Sequence, residues 1–176
     1  MSPAHDHRAA RTRDTDQVDA KRRRYQEVRS RIDALLGPDT DWVATMATVA
    51  CELHQAFDAF HWTGFYRVVS PGLMRIGPYQ GGHGCLEISF DRGVCGAAAR
   101  TGQTQVVEDV TTFFGHIACS STTRSEIVVP IHDETGAVVA VLDVDSDLSA
   151  AFDRVDAEEL EQLCQLLGRS YARTSP

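Results

Sequence analysis

Apolar residues recur along this chain with two different periods, and the change between them divides it into elements. From Arg22 the period is helical: Tyr25, Val28, Ile32 and Leu35 fall on one stripe. Gly37-Pro38 stops that helix. Asp39 or Thr40 is placed to cap a second helix, whose buried face is Trp42, Val43, Met46, Val49, Ala50, Leu53 and Phe57. At Trp62 the period becomes two. Trp62, Gly64, Tyr66 and Val68 share one face of a strand, and Phe65, Arg67 and Val69 the other. Ser70-Pro71-Gly72 predicts a turn into a second, antiparallel strand over 73–79. Short strands are predicted over 86–90 and 104–107, with a short helix over 94–100 between them. Residues 110–124 show no period and read as a long functional loop. Two β-branched strands, 127–131 and 138–144, flank Asp133-Glu134-Thr135-Gly136, which has hairpin chemistry. Asp153 and Asp156 resemble a capping box ahead of a last helix, whose stripe is Leu160, Leu163, Cys164 and Leu167.

This order predicts an α/β (α+β) class. The expected fold is a mostly antiparallel sheet of about six strands, with helices packed on one side and long loops on the other.

Composition changes the picture only at the ends. A chain of 176 residues, 43% hydrophobic and 24% charged, is sized for one globular domain. No apolar run is long enough to span a membrane, and Met1 to Arg13 carries no secretory segment, so a cytoplasmic location is expected. Residues 1–20 are polar and short of apolar side chains. They predict a disordered arm before a domain over 21–172 and a tail over 173–176. Net charge is −8, yet residues 1–31 hold nine basic and five acidic residues. The acidic body argues against a nucleic-acid partner, and Lys21-Arg22-Arg23-Arg24 reads as a solvated helix face.

Chemistry concentrates in three cysteines. Cys85, Cys95 and Cys119 each sit among small or loop-forming residues, in Gly81-Gly82-His83-Gly84-Cys85, Gly93-Val94-Cys95-Gly96 and Gly115-His116-Ile117-Ala118-Cys119. Cys51 and Cys164 lie in apolar stripes and read as packing. The residues alone leave three readings of the trio. One is thiol redox chemistry through a sulfenic acid and a disulfide. Another is a Cys3His zinc site with His116 or His83, although C-x9-C-x23-C lacks a tight knuckle. The third is inert packing.

Acids and aromatics accompany the cysteines. Period-two spacing puts Asp143 and Asp145 on one face, with Glu126 at the head of the neighbouring strand. Carboxyls there suit protonation of a departing oxygen, or serve merely as edge charges. Trp62 and Tyr66, four apart on one strand face, form an aromatic wall for a small apolar group, or ordinary core.

Six strings, in order and with compatible spacing, carry a resemblance: Trp62-Thr63-Gly64-Phe65-Tyr66; Gly77-Pro78-Tyr79-Gln80-Gly81; Gly93-Val94-Cys95-Gly96; Gly115-His116-Ile117-Ala118-Cys119; Arg124-Ser125-Glu126-Ile127-Val128; and Val141-Leu142-Asp143-Val144-Asp145-Ser146. Together they resemble the free methionine-(R)-sulfoxide reductases, which are GAF-domain enzymes. The resemblance implies a GAF fold and reduction of free L-methionine (R)-S-oxide without a metal or organic cofactor. It implies that Cys119 attacks, that Cys85 resolves, and that Cys95 occupies a third active-site position. Glu126, Asp143 and Asp145 match the acids around the sulfoxide and the substrate amino group, and Trp62 and Tyr66 match the pocket aromatics. Thioredoxin is the implied reductant, and a homodimer is compatible with the amphipathic first helix. The rival from another class is a non-catalytic GAF module that senses oxidants or binds a small ligand.

Overall fold

The computed structural model describes residues 4–37, 40–115 and 120–174, with side chains from 15 to 171 within those ranges. Helix α1 runs Ala4–Leu35, so it begins well before the apolar stripe. The added stretch covers most of the predicted disordered arm. It is rich in Ala, Arg and Asp, and the side chains of residues 15–20 are exposed apart from a partly covered Val18. Over residues 15–20 the helix rests on propensity and solvation rather than burial. Tyr25, Val28 and Ile32 are buried, but Leu35 is 62% exposed. The helix ends at that residue, and Leu36 packs against the core instead.

Helix α2 spans Trp42–Ala56. Asp41 is its cap, rather than Thr40 or Asp39, and its carboxylate accepts from the backbone N–H groups of Val43 and Ala44. Thr40 is occupied elsewhere, accepting from the Gly37 N–H, and Asp39 lies outside the described residues. With the helix phased by Asp41, Val43 faces outward, while Trp42, Met46, Val49, Ala50 and Leu53 are buried.

Strands β1 (Trp62–Ser70), β2 (Leu73–Gln80), β3 (Glu87–Ser89), β4 (Gln105–Val107), β5 (Ser125–His132) and β6 (Val138–Ser146) form one sheet in the order β3-β2-β1-β6-β5-β4. Every pairing is antiparallel. The edge strands β3 and β4 are only three residues long, which limits pairing with other chains.

Helices α1, α2 and α4 (Arg154–Thr174) cover one sheet face through Tyr25, Met46, Leu53, Phe65, Ile127, Leu142 and Leu160. The other face carries the loops and also one helix, α3 (Gly93–Thr101), packed through Val94, Cys95 and Ala98 on Trp62, Tyr66, Val128 and Val141. Small residues let α3 lie this close. A Cβ added to Gly96 would fall 2.5 Å from the Ser89 carbonyl oxygen.

The capping box of α4 forms. Asp153 accepts from the N–H groups of Val155 and Asp156, and Asp156 accepts from the Asp153 N–H. Asp156 also accepts from the Tyr25 hydroxyl at 2.7 Å and the Lys21 ammonium at 2.6 Å. Arg22 and Arg29 pair with Glu158 and Glu159. Much of the basic cluster therefore ties α1 to α4 rather than facing solvent. No helix among the described residues is long and apolar enough to cross a membrane.

Candidate active site

Strand alternation and register assemble the site. On β1, Trp62 lies opposite Asp145 of β6, and Gly64 opposite Asp143. On the far side of β6, Glu126 of β5 lies opposite Asp145, and Val128 opposite Asp143. The three acids and two aromatics singled out in the sequence thus share the face that carries α3. They line one small pocket with Cys95, closed over by His83, Gly84, Ser120 and Thr123.

The aromatic wall has a defined geometry. The Trp62 ring stacks on Tyr66 (centroids 5.9 Å, planes at 23°) and on Tyr79 (5.4 Å, 17°). Its indole N–H donates to the Gly82 carbonyl at 3.1 Å. Gly64 makes this possible, because a Cβ there would lie 2.4 Å from the Tyr79 Cβ and 2.6 Å from Trp62 Cη2. The loop then crosses at Gly84, where a Cβ would stand 3.0 Å from both Trp62 and the Tyr66 hydroxyl.

The acids are buried: Glu126 is 6% exposed and Asp143 5%. Burial first, and then the charges of Asp143 and Asp145, hold the Glu126 carboxyl well above the usual range. Burial likewise raises Asp143, to about 7, against the opposing effect of hydrogen bonds from Cys95 and Glu126. Glu126 is therefore the proton donor of the pair and Asp143 the acceptor. Asp145 is also raised, by burial and by Asp143, while a hydrogen bond with Thr123 works the other way. Asp143 Oδ1 is buried without a hydrogen-bond partner among the described residues. In a native structure such an atom calls for a ligand or an ordered water.

The cysteines divide. Cys85, half-buried beside Gly84, is disulfide-bonded. Cys51, Cys95 and Cys164 are free thiols. Cys119 and His116 lie outside the described residues. Cys95, Glu126 and Asp143 each place one donor atom within 4.8 Å of the others, so they are the described group that could hold a metal. A Cys3His site would need the Cys85 thiolate, which the disulfide consumes.

Sequence reasoning missed Ser120 and Thr123, which come from the stretch without periodicity. The only signal there is a run of hydroxyls, Ser120-Ser121-Thr122-Thr123. Ile88 and Val94 of the pocket read as ordinary apolar positions.

Residues 40–170 match the GAF domain family. The chain is 38% identical over 144 residues to the free methionine-R-sulfoxide reductase of Saccharomyces cerevisiae, covering 78% of this chain and 80% of that one. It is 36% identical over 150 residues to the free methionine-R-sulfoxide reductase of Escherichia coli, covering 85% and 90%. The X-ray structure of free methionine-R-sulfoxide reductase from Neisseria meningitidis in complex with its substrate is similar with a TM-score of 0.80 at 43% identity, covering 85% of this chain and 89% of that one. Fold, pocket and sequence therefore agree that the chain belongs to the GAF-domain family and, within it, to the free methionine-R-sulfoxide reductases.

Proposed function

We propose that this protein reduces free L-methionine (R)-S-oxide to L-methionine with cysteine thiols. The observation that carries the reading is the unpartnered Asp143 Oδ1 inside an acid-lined pocket with an aromatic wall, beside a disulfide-bonded cysteine. A free amino acid brings an ammonium group, which the acids can accept, and a sulfoxide oxygen, which must be protonated to leave. Its methyl group packs on Trp62 and Tyr66.

In this mechanism the Cys119 thiolate attacks the substrate sulfur while the Glu126–Asp143 pair supplies a proton to the oxygen. Methionine leaves, and Cys119 carries the oxygen as a sulfenic acid. The Cys85 thiol then attacks that sulfur, water leaves, and a disulfide forms. Thioredoxin, a dithiol carrier, reduces this disulfide. Capture of the ammonium favours the free amino acid over a peptide-bound residue, in which that charge is absent. A cytoplasmic location suits a cycle that requires reduced thiols, and a homodimer fits the reading without being needed by the pocket.

The test is multiple turnover of free methionine-(R)-sulfoxide with thioredoxin or dithiothreitol, for wild type and Cys119→Ser. Sustained methionine release by wild type and none by the variant is expected. One turnover followed by arrest in wild type, with reductant in excess, would instead favour an oxidant sensor. Full activity in Cys119→Ser would remove that residue as nucleophile.

A further inference from the structure

The disulfide at Cys85 and the free thiol at Cys95 coexist in one structure, and they have different surroundings. Cys85 sits in a loop and is half-buried. Cys95 sits in the first turn of α3, is 3% exposed, and belongs to a helix locked against the Ser89 carbonyl at Gly96. A resolving cysteine must travel to its partner and then meet an external dithiol, and Cys95 is built for neither. What it does meet is Asp143: Cys95 Sγ lies within 4.8 Å of an Asp143 carboxylate oxygen and of a Glu126 carboxylate oxygen, and hydrogen bonding between the thiol and Asp143 acts on the protonation of both groups.

We propose that Cys95 is a positioning residue: its thiol stays reduced through the cycle and, as a hydrogen-bond donor, holds the Asp143 carboxylate with Oδ1 turned free for the substrate. The proposal rests on the reductase reading. A thiol is a weak donor in water, but towards a carboxylate in a dry pocket it is stronger. A helix N-terminal turn ordinarily favours thiolate. Here burial, followed by the charges of Asp143 and Glu126, outweighs that and keeps the sulfur protonated. Among the described residues of the pocket, the other titratable groups are Glu126 from β5, Asp145 from β6, Tyr66 from β1 and His83 from the loop before β3. Glu126 is the second donor to Asp143, so loss of Cys95 leaves that carboxylate with one donor instead of two.

The experiment compares wild type, Cys95→Ser and Cys95→Ala in three measurements: the pH profile of kcat/KM, the thiols lost on one equivalent of sulfoxide, and recycling by thioredoxin. Serine keeps a donor, so Cys95→Ser should recycle with kcat/KM within about threefold of wild type. Alanine removes the donor and makes Asp143 harder to ionise. The acidic limb should then move up by about one pH unit, the size of one hydrogen bond to a charged group. Both variants should still lose two thiols per substrate. A Cys95→Ser protein that stalls after one turnover with a trapped sulfenic acid would make Cys95 the resolver and overturn the proposal. So would a Cys95→Ala profile that superimposes on wild type. A second measurement does not depend on turnover: the infrared S–H stretching band that Cys95→Ser removes should shift in Asp143→Asn. An unmoved band would also overturn the proposal. A wild type that forms no methionine would fail the reductase reading instead, and the band would still decide the hydrogen bond.

Discussion

Glu126 and Asp145 lie directly opposite one another across the β5–β6 ladder, and both line the same pocket. Like charges in that relation are unfavourable, and burial adds to the penalty. The sheet accommodates them by keeping protons on the carboxyls. Glu126 is held well above its ordinary value of 4.5. Above that pH an unfolded glutamate is ionised while the folded one keeps its proton, so folding takes up a proton and stability falls as pH rises. Glu126→Gln removes this dependence while keeping a donor towards Asp143. The variant should therefore be more stable than wild type at pH 7, by about 1–3 kcal/mol in chemical denaturation. The advantage should disappear near pH 4, where the unfolded glutamate is also protonated. Activity should fall by about 10²–10⁴, because the proton donor is gone.

The same pair sets the pH dependence of the reaction. The mechanism needs Asp143 ionised and Glu126 protonated. Asp143 is pushed up to about 7. Below that pH both carboxyls carry protons and the ammonium loses its acceptor, so kcat/KM should rise as pH passes through about 7. It should fall again at higher pH, where the pair loses its remaining proton. A bell of this form belongs to the pair rather than to either residue. A profile flat from pH 5 to 9 would count against the pair.

Gly64 tests the aromatic wall without touching a titratable group. A methyl at this position collides with Tyr79 and with the Trp62 ring. β1 is central in the sheet and cannot yield, so the indole must swing away from its stack on Tyr66 and Tyr79. Gly64→Ala should raise KM for the sulfoxide about tenfold, change the near-ultraviolet dichroism of Trp62, and destabilise the fold by about 1–3 kcal/mol. Unchanged KM would show that the stack does not touch the substrate.

How far the sequence reveals all this depends on where periodicity holds. The sheet was legible because β1 has period two and β5 and β6 are β-branched apolar runs, and Asp143 and Asp145 could be placed on one face because the end of β6 alternates. The strand ends were less so. The apolar runs 127–131 and 138–144 understate the strands, which extend to Ser125 and to Ser146 and so carry Glu126 and Asp145, the acids that spacing had placed at their ends. The cap of α2 moved to Asp41 because three adjacent residues, Asp39, Thr40 and Asp41, are all competent caps, and local preference does not choose among them. Thr123 was missed because its partner, Asp145, is 22 residues away. The length of α1 was missed because a solvated helix leaves no apolar stripe.

Cys85 and Cys119 separate two halves of the proposed cycle. Reduction of the sulfoxide requires only Cys119, whereas return to the thiol state requires Cys85. Cys85→Ser should therefore release about one methionine per protein in a burst and then stop with thioredoxin as reductant, since no disulfide forms for it to attack. The stalled protein should carry a sulfenic acid that a dimedone-type reagent traps, one per chain by mass. Small monothiols can reach a sulfenic acid directly, so slow turnover should return with excess mercaptoethanol. Continued thioredoxin-driven turnover in Cys85→Ser would mean that another cysteine resolves. The described residues then leave Cys95 as the thiol inside the pocket, and the same experiment would bear against its role as a fixed donor to Asp143.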